Sequence, residues 1–115
     1  MNMDENVFFA TLANDVRLRT LMLLQGQGEL CVCELTHALG LSQPKISRHL
    51  ALLRESGLLL TRREGTWMYY RINLKLPVWM QNNLQTTFEG IRRSKVFVVD
   101  KKRLKSMSSR PEAVC

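Results

Sequence analysis

The chain has 115 residues, of which 45% are hydrophobic and 23% charged, and its formal net charge at pH 7 is +7. This length and composition predict one folded domain and exclude a disordered chain. No apolar run approaches the roughly 18 residues that a membrane span needs, and the acidic start of the chain is not typical of a signal peptide. We therefore expect a cytoplasmic protein whose three cysteines are thiols, not a disulfide framework.

The charge is unevenly distributed along the chain. Residues 1–42 carry two basic residues against five acids, residues 43–71 carry six against two, and residues 91–115 carry eight against two. A basic middle behind an acidic front favours a face that binds nucleic acid. The basic end is more typical of a solvated charge run.

The first third of the chain is predicted to form three helices. A short first helix covers residues 6–13, and a second covers residues 15–25 and ends at Gly26. A third helix covers roughly residues 33–39 and is closed by Gly40.

A fourth helix is predicted over residues 43–56, with Ser42 as its N-cap. Ile46, Leu50 and Leu53 recur at the spacing of one buried stripe, so the polar residues of the first turns point away from the core. A helix-turn-helix places its base-reading residues there, and lysine, arginine and glutamine suit that role. The candidate DNA-binding residues here are Ser42, Gln43, Lys45, Ser47, Arg48 and His49. His49 lies at the border of this face and is either a phosphate contact or a half-buried histidine bonded to the backbone.

A β-hairpin follows, with strands over residues 58–63 and 66–72 and a tight turn at Glu64 and Gly65. The hairpin directly follows the fourth helix, as the wing of a winged helix-turn-helix does, and a wing is suited to contact phosphates or enter the minor groove. Its candidate DNA-contacting residues are Arg62 and Arg63.

Pro77 opens the last predicted helix, whose apolar positions include Trp79, Leu84 and Phe88. Residues 92–115 contain a strand-like run, VFVV, followed by basic residues, and we expect this segment to be largely mobile. The sequence thus divides into a winged helix-turn-helix domain over residues 1–91, which binds DNA and dimerises, and a basic tail over residues 92–115.

Cys31 and Cys33 lie in the segment GELCVCELTHAL, where extended chain is predicted to give way to helix. In a helix, residues i and i+2 point about 200° apart, but in an extended strand they face the same side at roughly 6.6 Å. Two thiols at such a boundary can converge on a soft ion if the first turn of the helix unwinds. We expect the helix N-terminus to lower the thiol pKa values, with Glu34 opposing this in part. The alternative is that one or both cysteines are small buried core residues.

The run ELCVCEL, followed by LSQPKISRHLALLRESGLL and a GTWMYYRI wing, resembles the ArsR/SmtB family of winged-helix metalloregulators, and most of all its arsenical-resistance operon repressors. The resemblance covers about residues 5–90. It implies a mainly α fold with a small β-hairpin, and a homodimer that binds its own operator DNA. It also implies release by trivalent arsenic or antimony bound to Cys31 and Cys33, with no resident cofactor and no membrane partner. Trp79, Leu84 and Phe88 would contribute to the dimer interface, although Trp79 equally suits packing within one subunit.

The segment departs from the best-known arsenic repressors at one position. Those repressors carry a third cysteine three residues after the second, where this chain has Thr36. Because trivalent arsenic prefers three ligands, the third is a small-molecule thiol, a hydroxide or Cys115. Cys115 is otherwise a free terminal thiol without a role.

Several other functions remain open at this level. Cadmium- and lead-sensing members of the family add cysteines from an N-terminal extension, and zinc-sensing members use histidine and aspartate on the last helix, which residues 77–91 lack. A redox switch would need a disulfide across one residue, which is strained. A dithiol oxidoreductase is disfavoured because no general acid, oxyanion site or phosphate loop accompanies the thiols. The chain is therefore predicted not to be an enzyme.

Overall fold

In the computed structural model, which describes residues 3–107, helices surround a small sheet. The elements in chain order are α1 Glu5–Leu12, α2 Asp15–Gln27, β1 Glu29–Cys31, α3 Val32–Leu39, α4 Gln43–Glu55, β2 Leu59–Glu64, β3 Trp67–Ile72, α5 Val78–Ile91 and α6 Lys95–Ser106. The order of α3, turn, α4 and hairpin confirms the predicted helix-turn-helix with a wing. Within the described residues, no helix is long and apolar enough to cross a bilayer.

The sheet has three antiparallel strands in the order β1-β3-β2. β2 and β3 form the predicted hairpin, but its turn lies one residue later than expected. Glu64 is the last residue of β2 and pairs with Trp67, so Gly65 and Thr66 form the turn. Gly65 adopts a φ of 61°, a left-handed conformation that favours glycine. The third strand, β1, adds the segment before α3 to the same sheet.

The second helix is longer than predicted. α2 continues through Gly26 and ends at Gly28, whose φ of 93° requires a residue without a side chain. Gly26 instead lies against the ring of Phe88, where a Cβ would come within 3.0 Å. Directly after Gly28 ends the helix, Glu29 begins to pair with Arg71 across the sheet.

The hydrophobic core joins the inner faces of all six helices to the base of the sheet. Its fully buried members include Phe8, Leu21, Leu24, Leu35, Leu39, Ile46, Leu50, Leu53, Leu58, Met80, Leu84 and Leu104. The predicted stripe of α4 is part of this set, so the opposite face of that helix is turned towards solvent.

The prediction of a strand-like and mobile segment after residue 91 is wrong for residues 95–106, which form α6. Only residues 108–115 of the predicted tail lie outside the described residues. The run VFVV, residues 96–99, is part of this helix and not of a strand. Two of its valines, Val96 and Val99, are partly exposed on the helix surface. The residues that anchor α6 are Asp100 and Leu104, both buried.

A buried ion pair fixes α6 to the body of the domain. The guanidinium of Arg19 donates to both carboxylate oxygens of Asp100, at 2.8 and 2.6 Å, and to the carbonyl of Leu39 at 3.0 Å. Arg19 thereby joins α2, the end of α3 and α6 at one point. The pKa of Arg19 is raised, first by its hydrogen bonds to Asp100.

Candidate nucleic-acid interface and thiol site

The recognition helix α4 begins as the sequence predicts. The Ser42 hydroxyl accepts from the backbone N–H of Lys45, and Pro44 occupies the first turn, where its missing N–H costs nothing. Gln43, Lys45, Ser47 and Arg48 are all exposed on the face opposite the buried stripe. The structure therefore brings these predicted DNA-binding residues together on one solvent-facing surface.

His49 lies at the border of this surface and is half-buried. Its Nδ1 lies 3.4 Å from the guanidinium of Arg17, which can donate to an unprotonated ring nitrogen but not to a protonated one. Burial lowers the pKa of His49, and the nearby charges of Arg17, Lys45 and Arg48 lower it further. At neutral pH the ring is therefore uncharged. Its partner is a side chain of α2, not a backbone group.

Arg17 was not singled out from the sequence. Its guanidinium also donates to the carbonyls of Thr11 and Ala10 at the end of α1. It thus connects the last turn of α1 to the middle of α4. Nothing in its local pattern distinguishes it from a surface arginine, because its partners lie on two other helices.

The two wing arginines have different surroundings. Arg62 donates to both carboxylate oxygens of Glu29, at 2.9 and 3.0 Å, and to Glu64 at 2.8 Å, and its guanidinium lies 4.5 Å from the ring centre of Tyr69. Arg63 follows it on the strand and so points to the other face of the hairpin. Arg63 is exposed, and none of the ion pairs found among residues 3–107 includes it. The two side chains are therefore not equivalent as phosphate contacts.

Cys31 and Cys33 lie at the predicted boundary between extended chain and helix. Cys31 ends β1 with an extended backbone, at φ −89° and ψ 168°, and is the N-cap of α3, while Cys33 lies in the first turn. Both side chains are buried, with 1% and 7% of their surfaces exposed. Cys31 is a free thiol, whereas Cys33 is in a disulfide, so the prediction that the cysteines are thiols is wrong for Cys33. Cys115, the candidate third ligand, lies outside the described residues. Within residues 3–107 no group of three or more histidine, cysteine, aspartate or glutamate side chains is arranged to hold a metal ion.

The sulfur of Cys31 takes part in a reciprocal capping arrangement with Glu34. It faces the backbone N–H of Glu34, while the Glu34 carboxylate accepts from the backbone N–H of Cys31 at 3.0 Å. This is the capping box that a serine or threonine usually forms with a glutamate three residues later. The sequence signal was present in the C-x-x-E spacing, but cysteine is not among the usual capping residues.

The predicted lowering of thiol pKa values is wrong for Cys31. Burial raises the pKa of the Cys31 thiol above its ordinary value, and the negative charge of Glu34 raises it further. The backbone N–H of Glu34 acts in the opposite direction but does not outweigh the burial. The thiol is therefore protonated at neutral pH.

Cys31 is also connected to the wing through the sheet. It lies opposite Tyr69 on β3, and Tyr69 lies opposite Arg62 on β2. Two residues earlier on β1, Glu29 forms the ion pair with Arg62, at 2.7 Å. The thiol, the tyrosine and the wing arginine thus form one row across the sheet.

The predicted dimerisation residues differ in burial. Leu84 is completely buried within its own subunit, so its prediction as an interface contact is wrong. Phe88 is half-buried against α2. Trp79 is 44% exposed and also packs edge-on against Phe8, with ring centres 5.2 Å apart, and against Phe9.

Comparison with known proteins places this geometry in a family. Residues 14–60 match the family model described as "Bacterial regulatory protein, arsR family". The arsenic resistance transcriptional regulator ArsR1 of Pseudomonas putida is 48% identical over 107 residues, covering 93% of this chain and 82% of that protein. The arsenical resistance operon repressor of Escherichia coli is 59% identical over 71 residues, covering 62% of this chain and 61% of that protein.

Solved structures agree with the sequence relatives. The crystal structure of the AntR antimony-specific transcriptional repressor is similar, with a TM-score of 0.64 and 33% identity over 76% of each chain. The relatives are transcriptional regulators, which confirms both the predicted fold and the prediction that the chain is not an enzyme. The chain belongs to the arsR family of bacterial regulatory proteins.

Proposed function

We propose that this protein is a cytoplasmic, homodimeric transcriptional repressor that leaves its operator DNA when trivalent arsenic or antimony binds Cys31 and Cys33. The observation that carries the proposal is the position of Cys31. Its side chain faces the backbone N–H of Glu34 at the start of α3, and α3 is the first helix of the helix-turn-helix. A ligand bound to that sulfur acts directly on the element that positions the recognition helix α4.

The chemistry of the thiols is compatible with arsenic. In neutral water, trivalent arsenic is the uncharged acid As(OH)₃. Cys33 must first be converted from its disulfide to a thiol by a two-electron reductant, such as a small-molecule thiol. When As(OH)₃ then condenses with the two thiols, two As–O bonds break, two As–S bonds form, and the thiol protons leave with two hydroxyl groups as water. The product retains one As–OH group, which a small-molecule thiol or Cys115 can replace. Because no net proton is released, a raised thiol pKa does not oppose this reaction.

A divalent ion such as cadmium, lead or zinc meets a different cost. It must displace the thiol protons, and each displacement costs about 1.4 kcal/mol for every unit by which the thiol pKa exceeds the pH. Burial of Cys31 raises that cost. Trivalent antimony, whose hydroxide reacts with the same stoichiometry as arsenic, avoids it. The buried thiol thus supports arsenic and antimony over the divalent ions.

Release from DNA follows from the geometry of α3. Bonding to arsenic withdraws the Cys31 sulfur from the N–H of Glu34 and so disturbs the start of α3. Since residues i and i+2 of a helix point about 200° apart, bringing Cys33 to the same atom also unwinds the first turn. Inducer and DNA therefore favour different forms, and each weakens the binding of the other by the same factor. Shifting the population from 99:1 to 1:99 needs about 5.5 kcal/mol of differential affinity.

The proposal of a homodimer is supported by apolar surface on α1 and α5. Phe9, Val78 and Trp79 are 50%, 70% and 44% exposed, and the rings of Phe9 and Trp79 are 6.1 Å apart. Adjacent exposed apolar side chains mark interaction surfaces. A second copy of the chain would cover them and place two α4 helices on successive turns of DNA.

The test measures release of a labelled operator duplex by fluorescence anisotropy, with a non-thiol phosphine as reductant. Cys31→Ser is an informative variant, because serine is a good N-cap but does not form a stable bond to arsenic in water. We expect Cys31→Ser, Cys33→Ser and the double variant to bind operator like the wild type. All three should remain bound at arsenite concentrations that release the wild type, since losing either thiol removes most of the coupling.

The matched control is Cys115→Ser, which should still respond to arsenite if water or a small thiol completes the coordination. Parallel titrations with antimonite, cadmium and zinc separate the inducers. Release by an oxidant without arsenite would indicate a redox switch instead. A Cys31→Ser, Cys33→Ser double variant that arsenite still releases would end the proposal.

A further inference from the structure

The C-terminal end of α6 lies beside the turn of the helix-turn-helix. The Ser106 hydroxyl lies 3.3 Å from Nε2 of His37, which belongs to α3. The guanidinium of Arg103 lies directly over Gly40, so close that a Cβ at that glycine would collide with it. Gly40 is followed, after one residue, by the N-cap of α4. The end of α6 is therefore adjacent to the end of α4 that a helix-turn-helix directs into the major groove.

The charged side chains on the solvent-facing side of α6 are all basic. Its basic residues are Lys95, Lys101, Lys102, Arg103 and Lys105, and all of them are exposed. Its one acid, Asp100, is buried and paired with Arg19 inside the domain. The acid thus neutralises none of the exposed charge, and the helix presents an unbalanced positive surface to solvent.

A cationic surface in this position fits DNA phosphates. Phosphate groups line both sides of the groove that a recognition helix enters, and contacts to them fix the protein on the duplex without reading sequence. Of the exposed basic residues, Arg103 lies directly over the turn, and Lys105 belongs to the same C-terminal end of α6 but points to the other side of the helix, towards α2 and α5. Lys95 is eight residues before Arg103, about 12 Å along the helix axis, which exceeds the screening length of about 10 Å at 0.1 M salt.

We propose that α6 is part of the DNA-binding surface, and that Arg103 and Lys105 contact the phosphate backbone beside the half-site that α4 reads. This inference rests on the proposed function, because it assumes that α4 lies in the groove. It assigns a binding role to a segment whose charge was otherwise that of a solvated tail. It also explains why α6 is fixed by a buried ion pair, since a contact to DNA requires a defined position.

The test compares two variants that each lose two exposed positive charges. Arg103→Gln with Lys105→Gln removes the two charges at the C-terminal end of α6, and Arg93→Gln with Lys95→Gln removes charges before and at the start of α6. Full-length proteins are titrated with operator and with unrelated duplex from 50 to 200 mM salt. The first variant should lower the slope of log affinity against log salt by about 2 per protomer, because each lost phosphate contact lowers it by about 0.9. Between 50 and 200 mM salt, the variant should therefore lose roughly tenfold less DNA affinity per protomer than the wild type.

Three further readouts test whether the two side chains contact DNA or act only through the net charge of the protein. The first variant should lose affinity for both duplexes by the same factor and should still be released by arsenite, whereas the second should retain the wild-type slope. Equal slopes for both variants would overturn the inference, because the charges would then act only through the net charge. A wild type that does not distinguish operator from unrelated DNA would instead overturn the proposed function.

Arg103 also lies near the end of α3, so its loss could affect folding. A second pair of variants, Lys105→Glu and Lys95→Glu, avoids this, since no hydrogen bond or ion pair within residues 3–107 involves either side chain. Lys105→Glu should weaken both duplexes and lower the salt slope more than Lys95→Glu does. The opposite order would contradict the inference.

Discussion

The ion pair between Arg19 and Asp100 allows a quantitative test of how α6 is held. Asp100→Ala would leave the guanidinium of Arg19, whose side chain is only 11% exposed, without its main partner. Its remaining contacts are the carbonyl of Leu39 and a 3.5 Å pair with Asp15, whose own side chain is 77% exposed. Breaking a buried pair by removing one partner costs about 3–5 kcal/mol. A domain of this size has a total stability of roughly 6–17 kcal/mol, so the loss is a large fraction.

Because α6 is the last described element, the molecule can avoid this cost by releasing the helix. We therefore expect two signatures. Urea denaturation followed by circular dichroism should show that the free energy of unfolding falls by no more than the cost of the broken ion pair. Hydrogen exchange should show that the amides of α6 lose protection before those of α4. A double variant, Arg19→Met with Asp100→Leu, removes both charges and should recover most of the stability. An Asp100→Ala variant within 1 kcal/mol of the wild type, with α6 still protected, would refute the reasoning.

Two further predictions concern DNA and pH. Arg48→Ala should relax discrimination between operator and unrelated DNA by about 1–3 kcal/mol, and Arg63→Ala should weaken both duplexes alike. Arg62→Ala should weaken them less than Arg63→Ala, since Glu29 and Glu64 already neutralise Arg62; equal losses in a binding titration would contradict this. The lowered pKa of His49 means that the unfolded chain binds a proton more readily than the folded one, so stability falls as the pH drops below about 6.5. His49→Gln should flatten that fall in denaturation curves measured between pH 7 and 5, and an unchanged slope would count against it.

The parts of the structure that the sequence predicts are those whose signals are local. The start of α4 follows from Ser42 and the stripe of Ile46, Leu50 and Leu53, because capping and helical periodicity depend on residues within two turns. The hairpin follows from β-branched and aromatic residues around a glycine. The position of Cys31 and Cys33 at the start of α3 follows from their place between an extended run and a helical one.

The parts that the sequence does not predict depend on partners far along the chain. α6 contains VFVV, which favours a strand, and its main anchor is Asp100, a charged residue that a pattern of apolar positions counts as exposed. Only its contact with Arg19, 81 residues earlier, makes it a core residue. The raised pKa of Cys31 was missed for the same reason, because its burial depends on strands and helices from other parts of the chain.

The proposed arsenic site and the two elements proposed to contact DNA are joined without any intervening domain. Cys31 ends a strand of three residues that pairs on one side only, so few hydrogen bonds oppose its displacement. Through Glu34 it holds the first turn of α3, and through Tyr69 and the Glu29–Arg62 ion pair it is connected to the wing. Movement of this sulfur towards arsenic would therefore act on the recognition helix and on the wing together. Since arsenic must be held by both thiols to cause that movement, removing either one should abolish release and not halve it.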